Sequence, residues 1–391
     1  MTPAARVQAA IEVLDLVIAA ARSNGPSADR IIAEWFRVRR YAGSGDRRAV
    51  RELAYAAIRS CGEIPASGRA AMLLLARYDA ALAALFDGSR HAPEAMAAGE
   101  LAAVEGVAPA WLAATLAGSD ITGEEAQALL ARAPLNVRIN PLRGNAQDLP
   151  LAGEPLAAPH GLRFPAGTPV EQWDAFTRGE IEVQDGGSQL ACHAVGARPG
   201  ETVVDLCAGA GGKTLALAAA MDGRGRLIAC DSDRARLARL TPRAERAGAH
   251  DIEQRLLNPR RETEALADLI GSCDAVLVDA PCSGTGTWRR NPEARWRLAP
   301  AQVERYGATQ AYLLDLGATL VRPGGRLVFV TCSLLDAEGA DGAAAFLARH
   351  PGWQALQPQL PAGRPRGEGV RLTPFHDGTD GFFIACFTLP C

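Results

Sequence analysis

At 391 residues, 48% of them apolar, the chain is long enough for more than one hydrophobic core. A formal net charge of −3 argues against an indiscriminate binder of polyanions, and no apolar run approaches the roughly 18 to 20 residues of a membrane span. Nine cysteines without a Cys-x-x-Cys pair argue against a disulfide framework or a zinc site, and no metal is expected.

The opening residues, Met1 to Arg6, lack the charged-then-apolar layout of a secretory leader, so a cytoplasmic protein is expected. Residues 1–130 read as an all-α domain. Val7, Ile11, Leu14, Ile18 and Ala21 share one helical face, and Asn24-Gly25-Pro26 ends that helix. Ser27 is placed to cap the next, which carries Ile31, Ile32, Trp35 and Phe36. Val50, Leu53, Ala54, Ala57 and Ile58 predict a third helix, and Met72 to Phe86 a fourth. Shorter helices are expected around Leu101, Trp111-Leu112 and Ala126 to Leu130. These apolar stripes are core. Arginines cluster from Arg37 to Arg51 and again from Arg289 to Arg297.

The texture changes at Pro134. Leu135 to Ile139 alternates like a strand, and Asn140-Pro141 breaks it. Prolines and glycines are then dense to about Gly179, which predicts a small α+β connecting subdomain over 131–180. From 181 to 391 strands alternate with helices: strands at Thr202–Leu206, Arg226–Cys230, Ile252–Leu257, Ala275–Val278, Arg326–Val330 and Gly381–Leu389. Helices are expected at Lys213–Met221, Ser232–Ala247 (kinked or split by Pro242), Ala301–Leu320 and Ala337–His350. This alternation predicts an α/β, doubly wound, mostly parallel sheet. Periodicity leaves the direction of the last strand open.

Val203 to Thr214 is a strand, a glycine-rich turn and a helix. A phosphate-binding loop would need glycine where Cys207 stands, and a dinucleotide fingerprint would need a third glycine at Thr214. An S-adenosylmethionine pocket is the third candidate. It is supported by acids at the ends of strands: Asp205, Asp231 (placed to accept from ribose hydroxyls) and Asp279. Lys213, the only lysine among 41 basic residues, lies in this turn, which suggests a point charge that arginine cannot replace.

Two strands end in cysteine followed by serine: Asp279-Ala-Pro-Cys282-Ser and Thr331-Cys332-Ser333. A single such cysteine is more often a small core residue; a pair at adjoining strand ends suggests chemistry. Carbon 5 of a pyrimidine is a poor nucleophile, and adding a thiolate to carbon 6 turns the ring into an enamine that can take a methyl group. A carboxyl group such as Asp279 is suited to ring N3 during that addition. Spacing alone does not say which cysteine attacks.

Asp205-Leu-Cys-Ala-Gly-Ala-Gly-Gly-Lys-Thr214, Asp279-Ala-Pro-Cys-Ser-Gly-Thr-Gly286, Arg289-Arg-Asn-Pro292 and Thr331-Cys-Ser333 together resemble the Sun/Nop family of RNA (cytosine-5)-methyltransferases. Gln184-Asp185 and Asp380-Gly-Phe-Phe383 resemble its flanking elements. Trp111-Leu112, Asn136 to Asn140 and Arg51 to Arg59 suggest the bacterial RsmB-like branch. The resemblance implies a NusB-like helical RNA-binding domain and a Rossmann-like class I methyltransferase sheet with an antiparallel last strand. It implies Cys332 as nucleophile and Cys282 as the residue that releases the methylated RNA. S-adenosylmethionine would be lined by Cys207, Ala208, Gly209, Ala210, Gly211, Gly212 and Lys213, with Asp231 on its ribose, Asn258 near its adenine and Asp279 near the methyl donor. Arg289, Arg290 and Trp288 are expected on RNA: the arginines on its backbone, Trp288 stacking on a base or merely packing.

The expected substrate is ribosomal RNA and the expected state a monomer. The same chemistry on transfer RNA and a non-catalytic RNA-binding scaffold are the alternatives. The chain departs from the family in three places: Gly209-Ala210 replaces Ala-Pro, Asn258 replaces an acid, and the helical domain is shorter between Cys61 and Ala98.

Overall fold

The computed structural model describes residues 1–144, 146 and 148–391. These fall into two compact units, Met1–Ala131 with Thr287–Ala299, and Arg132–Gly286 with Pro300–Cys391.

The first unit is built on helices Pro3–Arg22, Ala28–Arg37, Ser44–Ser60, Gly68–Ala76, Ala80–Ala83, Ala110–Gly118 and Gly123–Ala128. Helix Pro3–Arg22 starts where its composition says it should: the Thr2 hydroxyl accepts from the Ala5 N–H, and Pro3 takes the first position, which needs no donor. Its buried face is the predicted one, Val7, Ile11, Leu14 and Ile18 included. The stretch predicted as one helix from Met72 to Phe86 breaks in two. The Asp79 carboxylate accepts from the N–H groups of Ala81 and Leu82 and so starts a new turn. No helix forms around Leu101, whose side chain is 83% exposed; an isolated bridge joins Glu105 to Cys61 instead. Ser27 precedes helix Ala28–Arg37 without a side-chain cap bond, and the Ala28 N–H donates to the Glu293 carboxylate.

Glu293 belongs to a segment the sequence had assigned to the sheet domain. Thr287–Ala299 packs within the helical unit because Arg295, fully buried, donates to the carbonyls of Ile58 (2.6 Å) and Cys61 (2.8 Å). Those carbonyls end helix Ser44–Ser60 and have no partner within it.

The second unit holds two sheets. The smaller is four-stranded and antiparallel, β1 (Leu135–Ile139), β2 (Glu154–Pro155), β3 (Gly161–Phe164) and β4 (Ile181–Val183), in the order β2-β3-β1-β4. A boundary at 180 would cut β4 away from its partner, since Ile181 pairs with Ile139 and Val183 with Val137.

The larger sheet comprises β5 (Thr202–Asp205), β6 (Arg226–Asp231), β7 (Ile252–Leu256), β8 (Cys273–Asp279), β9 (Val321–Thr331), β10 (Gln354–Leu356), β11 (Arg364–Arg366), β12 (Gly369–Leu372) and β13 (Phe382–Thr388). Its order is β11-β12-β13-β9-β8-β5-β6-β7, with β10 against β13. β5 to β9 run parallel, and β13 inserts antiparallel beside β9. This is a Rossmann-like sheet with an antiparallel last strand, as the resemblance implies. Residues 275–278 of β8 and 327–330 of β9 are unbroken apolar runs, fully buried, because the sheet is covered on both faces there. Helix Ser232–Ala247 splits into Arg234–Leu237 and Leu240–Ala247, which places Pro242 in a first turn, where its missing N–H is harmless. No helix among the described residues is long and apolar enough to cross a membrane.

Phe346, on helix Ala340–Arg349, is fully buried, with its ring 4.8 Å from Phe387 and 5.5 Å from Trp353. Phe346→Ala is expected to cost about 3–5 kcal/mol in urea unfolding, and a loss under about 1 kcal/mol would contradict this packing.

Candidate functional site

The glycine turn leaves β5 at the point where the strand order reverses, β6 on one side and β8 on the other, the place where sheets of this kind bind ligands. Gly209 (φ +57°) and Gly211 (φ +84°) adopt the left-handed conformation. A Cβ on Gly211 would meet Leu240 Cδ1 at 2.2 Å, whereas one on Gly209 meets nothing within 4 Å. The turn is therefore pressed against the protein at Gly211 and bare at Gly209. Arg243 braces its outer side, donating to the Ala210 carbonyl (2.6 Å) and to Glu182 (3.1 Å).

Asp231, at the end of β6, accepts from the Gly209 N–H (2.7 Å) and the Asp233 N–H (2.7 Å). Two bonds leave a carboxylate with acceptor capacity to spare. Asp205, fully buried, accepts from the Thr214 hydroxyl at 2.6 Å through one oxygen, and its other oxygen has no partner among the described residues. Burial pushes this carboxyl up to about 7, and Asp279 adds to the rise while the Thr214 bond opposes it. Burial and the carboxylates of Asp279, Asp205 and Asp231 hold the Cys207 thiol well above the usual range, so it lines the turn as a neutral group. Asn258 stands exposed just after β7, and the neighbouring Leu257 N–H donates to the Asp231 carbonyl.

Lys213 reaches from the first turn of helix Gly212–Ala220 to Asp279, Nζ to Oδ2 2.6 Å, and lies 5.5 Å from the centroid of the Phe382 ring. Burial alone would lower this ammonium; the Asp279 carboxylate outweighs it and holds Lys213 above its ordinary range. Beside this pair the two cysteines meet. Cys282 Sγ lies 3.3 Å from Cys332 Sγ, a hydrogen-bond contact between free thiols. That bond and burial hold the Cys282 thiol well above the usual range, so it keeps its proton at neutral pH.

One group at the site escaped the sequence reading. Glu338 is fully buried and accepts from the Ser283 N–H (2.9 Å), the Ser283 hydroxyl, the Ser333 hydroxyl (2.7 Å) and the Gln310 amide (3.2 Å). In sequence a glutamate six places after Cys332 looks like a solvated helix start. The signal available was the repeated Cys-Ser, whose two serines converge on this carboxylate.

The three residues expected on RNA are not in the sheet unit; they lie in Thr287–Ala299. Trp288 is fully buried, which fits packing, the second of the two roles expected of it, and Arg289 is only 6% exposed. Arg290 is half-buried.

Residues 193–388 match the profile of the family described as "16S rRNA methyltransferase RsmB/F". The chain belongs to that family. Among curated relatives of this RsmB/F chain, the "Probable ribosomal RNA small subunit methyltransferase B" of Synechocystis is 35% identical over 268 residues, 64% of the chain and 59% of the relative. The chain spans about half to two thirds of the length of the curated relatives it matches. Among solved structures, PH0851 superposes with a TM-score of 0.76 at 23% identity, covering 99% of each chain, a likeness of fold. NSun6 from Pyrococcus horikoshii, solved with SFG, gives 0.51 at 25% identity over 57% of this chain and 56% of that one.

Gly211→Ala is expected to lower the unfolding midpoint more than Gly209→Ala, whose cost is about 1–2 kcal/mol of left-handed strain. Equal midpoints would mean Leu240 yields freely. Asp205 carries a pH signature. Its folded-state pKa lies above the unfolded value of about 3.9, so its contribution to stability is fully present below pH ~4 and is lost as pH rises through 7. Asp205→Asn removes that loss. Thermal melts should show the variant gaining on the wild type between pH 4 and 8; a constant difference would contradict a raised Asp205.

Proposed function

We propose that the chain transfers a methyl group from S-adenosylmethionine to carbon 5 of a cytosine in RNA, with ribosomal RNA the favoured substrate, through a covalent bond between Cys332 and the base. The observation that carries this is the meeting of the two cysteine sulfurs at 3.3 Å, beside the Lys213–Asp279 pair and the glycine turn. A methyltransferase acting on an oxygen or an exocyclic amine needs no thiol there. Membership of the RsmB/F family and the names of its curated relatives support RNA as substrate.

S-adenosylmethionine, when bound, supplies an electrophilic methyl group. Cys207 to Lys213 would hold it, with Asp231 taking the ribose hydroxyls and Asn258 the adenine edge. The donor set fits: spare acceptors on Asp231, an unpartnered oxygen on Asp205 for a cationic group, and open space over Gly209 for close approach. Cys332, its thiol proton given up to water, adds through sulfur to carbon 6, and the ring's electron pair moves to carbon 5 while N3 takes a proton from the Asp279 carboxyl group. Once carbon 5 carries the methyl group, its proton passes to water and the electron pair of that C–H bond re-forms the ring double bond. Sulfur leaves carbon 6 with the carbon–sulfur pair, and N3 returns its proton to Asp279. Cys282 assists this last step. The helical unit is assigned a NusB-like RNA contact on the resemblance alone.

Cys332→Ala should abolish methylation and form no adduct, whereas Cys282→Ala should accumulate an RNA–protein adduct that survives denaturation. An adduct formed by the Cys332 variant would reverse the two roles. Bisulfite mapping of ribosomal and transfer RNA from cells lacking the protein decides between the two substrates.

A further inference from the structure

The released product has to leave, and the structure shows what keeps the releasing cysteine in place. Cys332 directly follows β9, and its carbonyl accepts from the Gly286 N–H at 2.9 Å. The neighbouring Thr331 hydroxyl donates to the backbone carbonyl of Glu338, a bond that does not involve the Glu338 side chain. Cys282 is held differently. Ala280 is the last residue tied to the sheet, its N–H donating to the Val330 carbonyl at 2.9 Å.

Beyond Ala280 the loop hangs on Glu338 from both sides of the cysteine. Ser283 donates to it through N–H and hydroxyl, and the Gln310 amide links it to the loop, donating to Glu338 at 3.2 Å and to the Pro281 carbonyl at 3.0 Å. Ser333, next to Cys332, donates to the same carboxylate. One buried carboxylate thus ties the residue after each cysteine to a common point.

We infer that Glu338 is a positioning residue for product release: by clamping Ser283 and Ser333 it holds Cys282 against Cys332, and without it the enzyme stalls at the RNA adduct. This deepens the two-cysteine reading and rests on it. Loss of the carboxylate leaves the buried Ser283 N–H unpaired, so the loop shifts to find a partner. Glutamine in its place keeps the clamp. Its carbonyl accepts from Ser283 N–H and Gln310, and its amide donates to serine oxygens whose hydroxyls rotate to suit.

The test uses the full chain, an RNA it methylates and S-adenosylmethionine, with turnover and denaturation-resistant adduct measured together. Glu338→Ala is expected to lose multiple turnover on the order of a hundredfold while accumulating adduct. Glu338→Gln should restore turnover, and Cys332→Ala combined with Glu338→Ala should form no adduct. A folded Glu338→Ala protein that is slow without adduct, while Cys282→Ala traps it, overturns this inference alone. If Cys282→Ala traps nothing, the underlying chemistry fails and takes the inference with it. Should Glu338→Ala not fold, Gln310→Leu cuts the tie to Pro281 and is expected to trap adduct; release at the wild-type rate overturns the clamp.

Discussion

The parallel ladder between β8 and β9 sets Val276 opposite Leu327, Val278 opposite Phe329 and Asp279 opposite Val330. Because both strands run the same way and end level with each other, the loops carrying Cys282 and Cys332 emerge side by side. An antiparallel pair would have sent them to opposite edges of the sheet. The same register places β5 against β8, Asp205 beside Leu277, so the glycine turn opens onto the same edge. Lys213 can then reach Asp279 from the helix that follows the turn. The antiparallel β13 completes the arrangement by delivering Phe382 behind that lysine.

Charge at this edge is unusually concentrated. Asp231 and Asp279 both act on Asp205, Asp279 alone is paired with the Lys213 ammonium, and one Asp205 oxygen is buried without a partner among the described residues. A buried acceptor without a protein partner costs free energy. The apolar clusters on the two faces of the larger sheet supply the burial that offsets such a cost. Glu338 is the contrasting case. It is equally buried but fully engaged by hydroxyl, amide and backbone donors, which makes it a rigid anchor.

Much of this was legible before any coordinates. Four of the five parallel strands carry apolar runs, β7 being the polar edge, and all five lie where the sequence pattern puts them. The glycine turn, Lys213, Asp231, Asp279 and both cysteines were visible because each is a residue type that its local pattern does not need. What failed, failed for stated reasons. Asp79 capped a turn within an apolar stripe that periodicity reads as continuous. Trp288 and Arg289 sit in a polar-looking loop, and their burial carries no local pattern: the segment Thr287–Ala299 groups with helices far away in sequence. β4 was assigned to the wrong side of a boundary because a three-residue strand carries no pattern of its own.

The sequence by itself determined the chemistry on offer: two strand-end thiols, a lone lysine, three strand-end acids and a flexible turn, on a sheet whose alternation dictates parallel crossovers. Local patterns determine these things because each depends on residues within a few positions of one another. Only the tertiary structure decided the distances, the direction of the last strand, the company kept by residues 287–299, and the hydrogen-bond partners of Glu338. Those depend on which strands become neighbours, and a buried carboxylate shared by serines 50 positions apart leaves no trace in local periodicity.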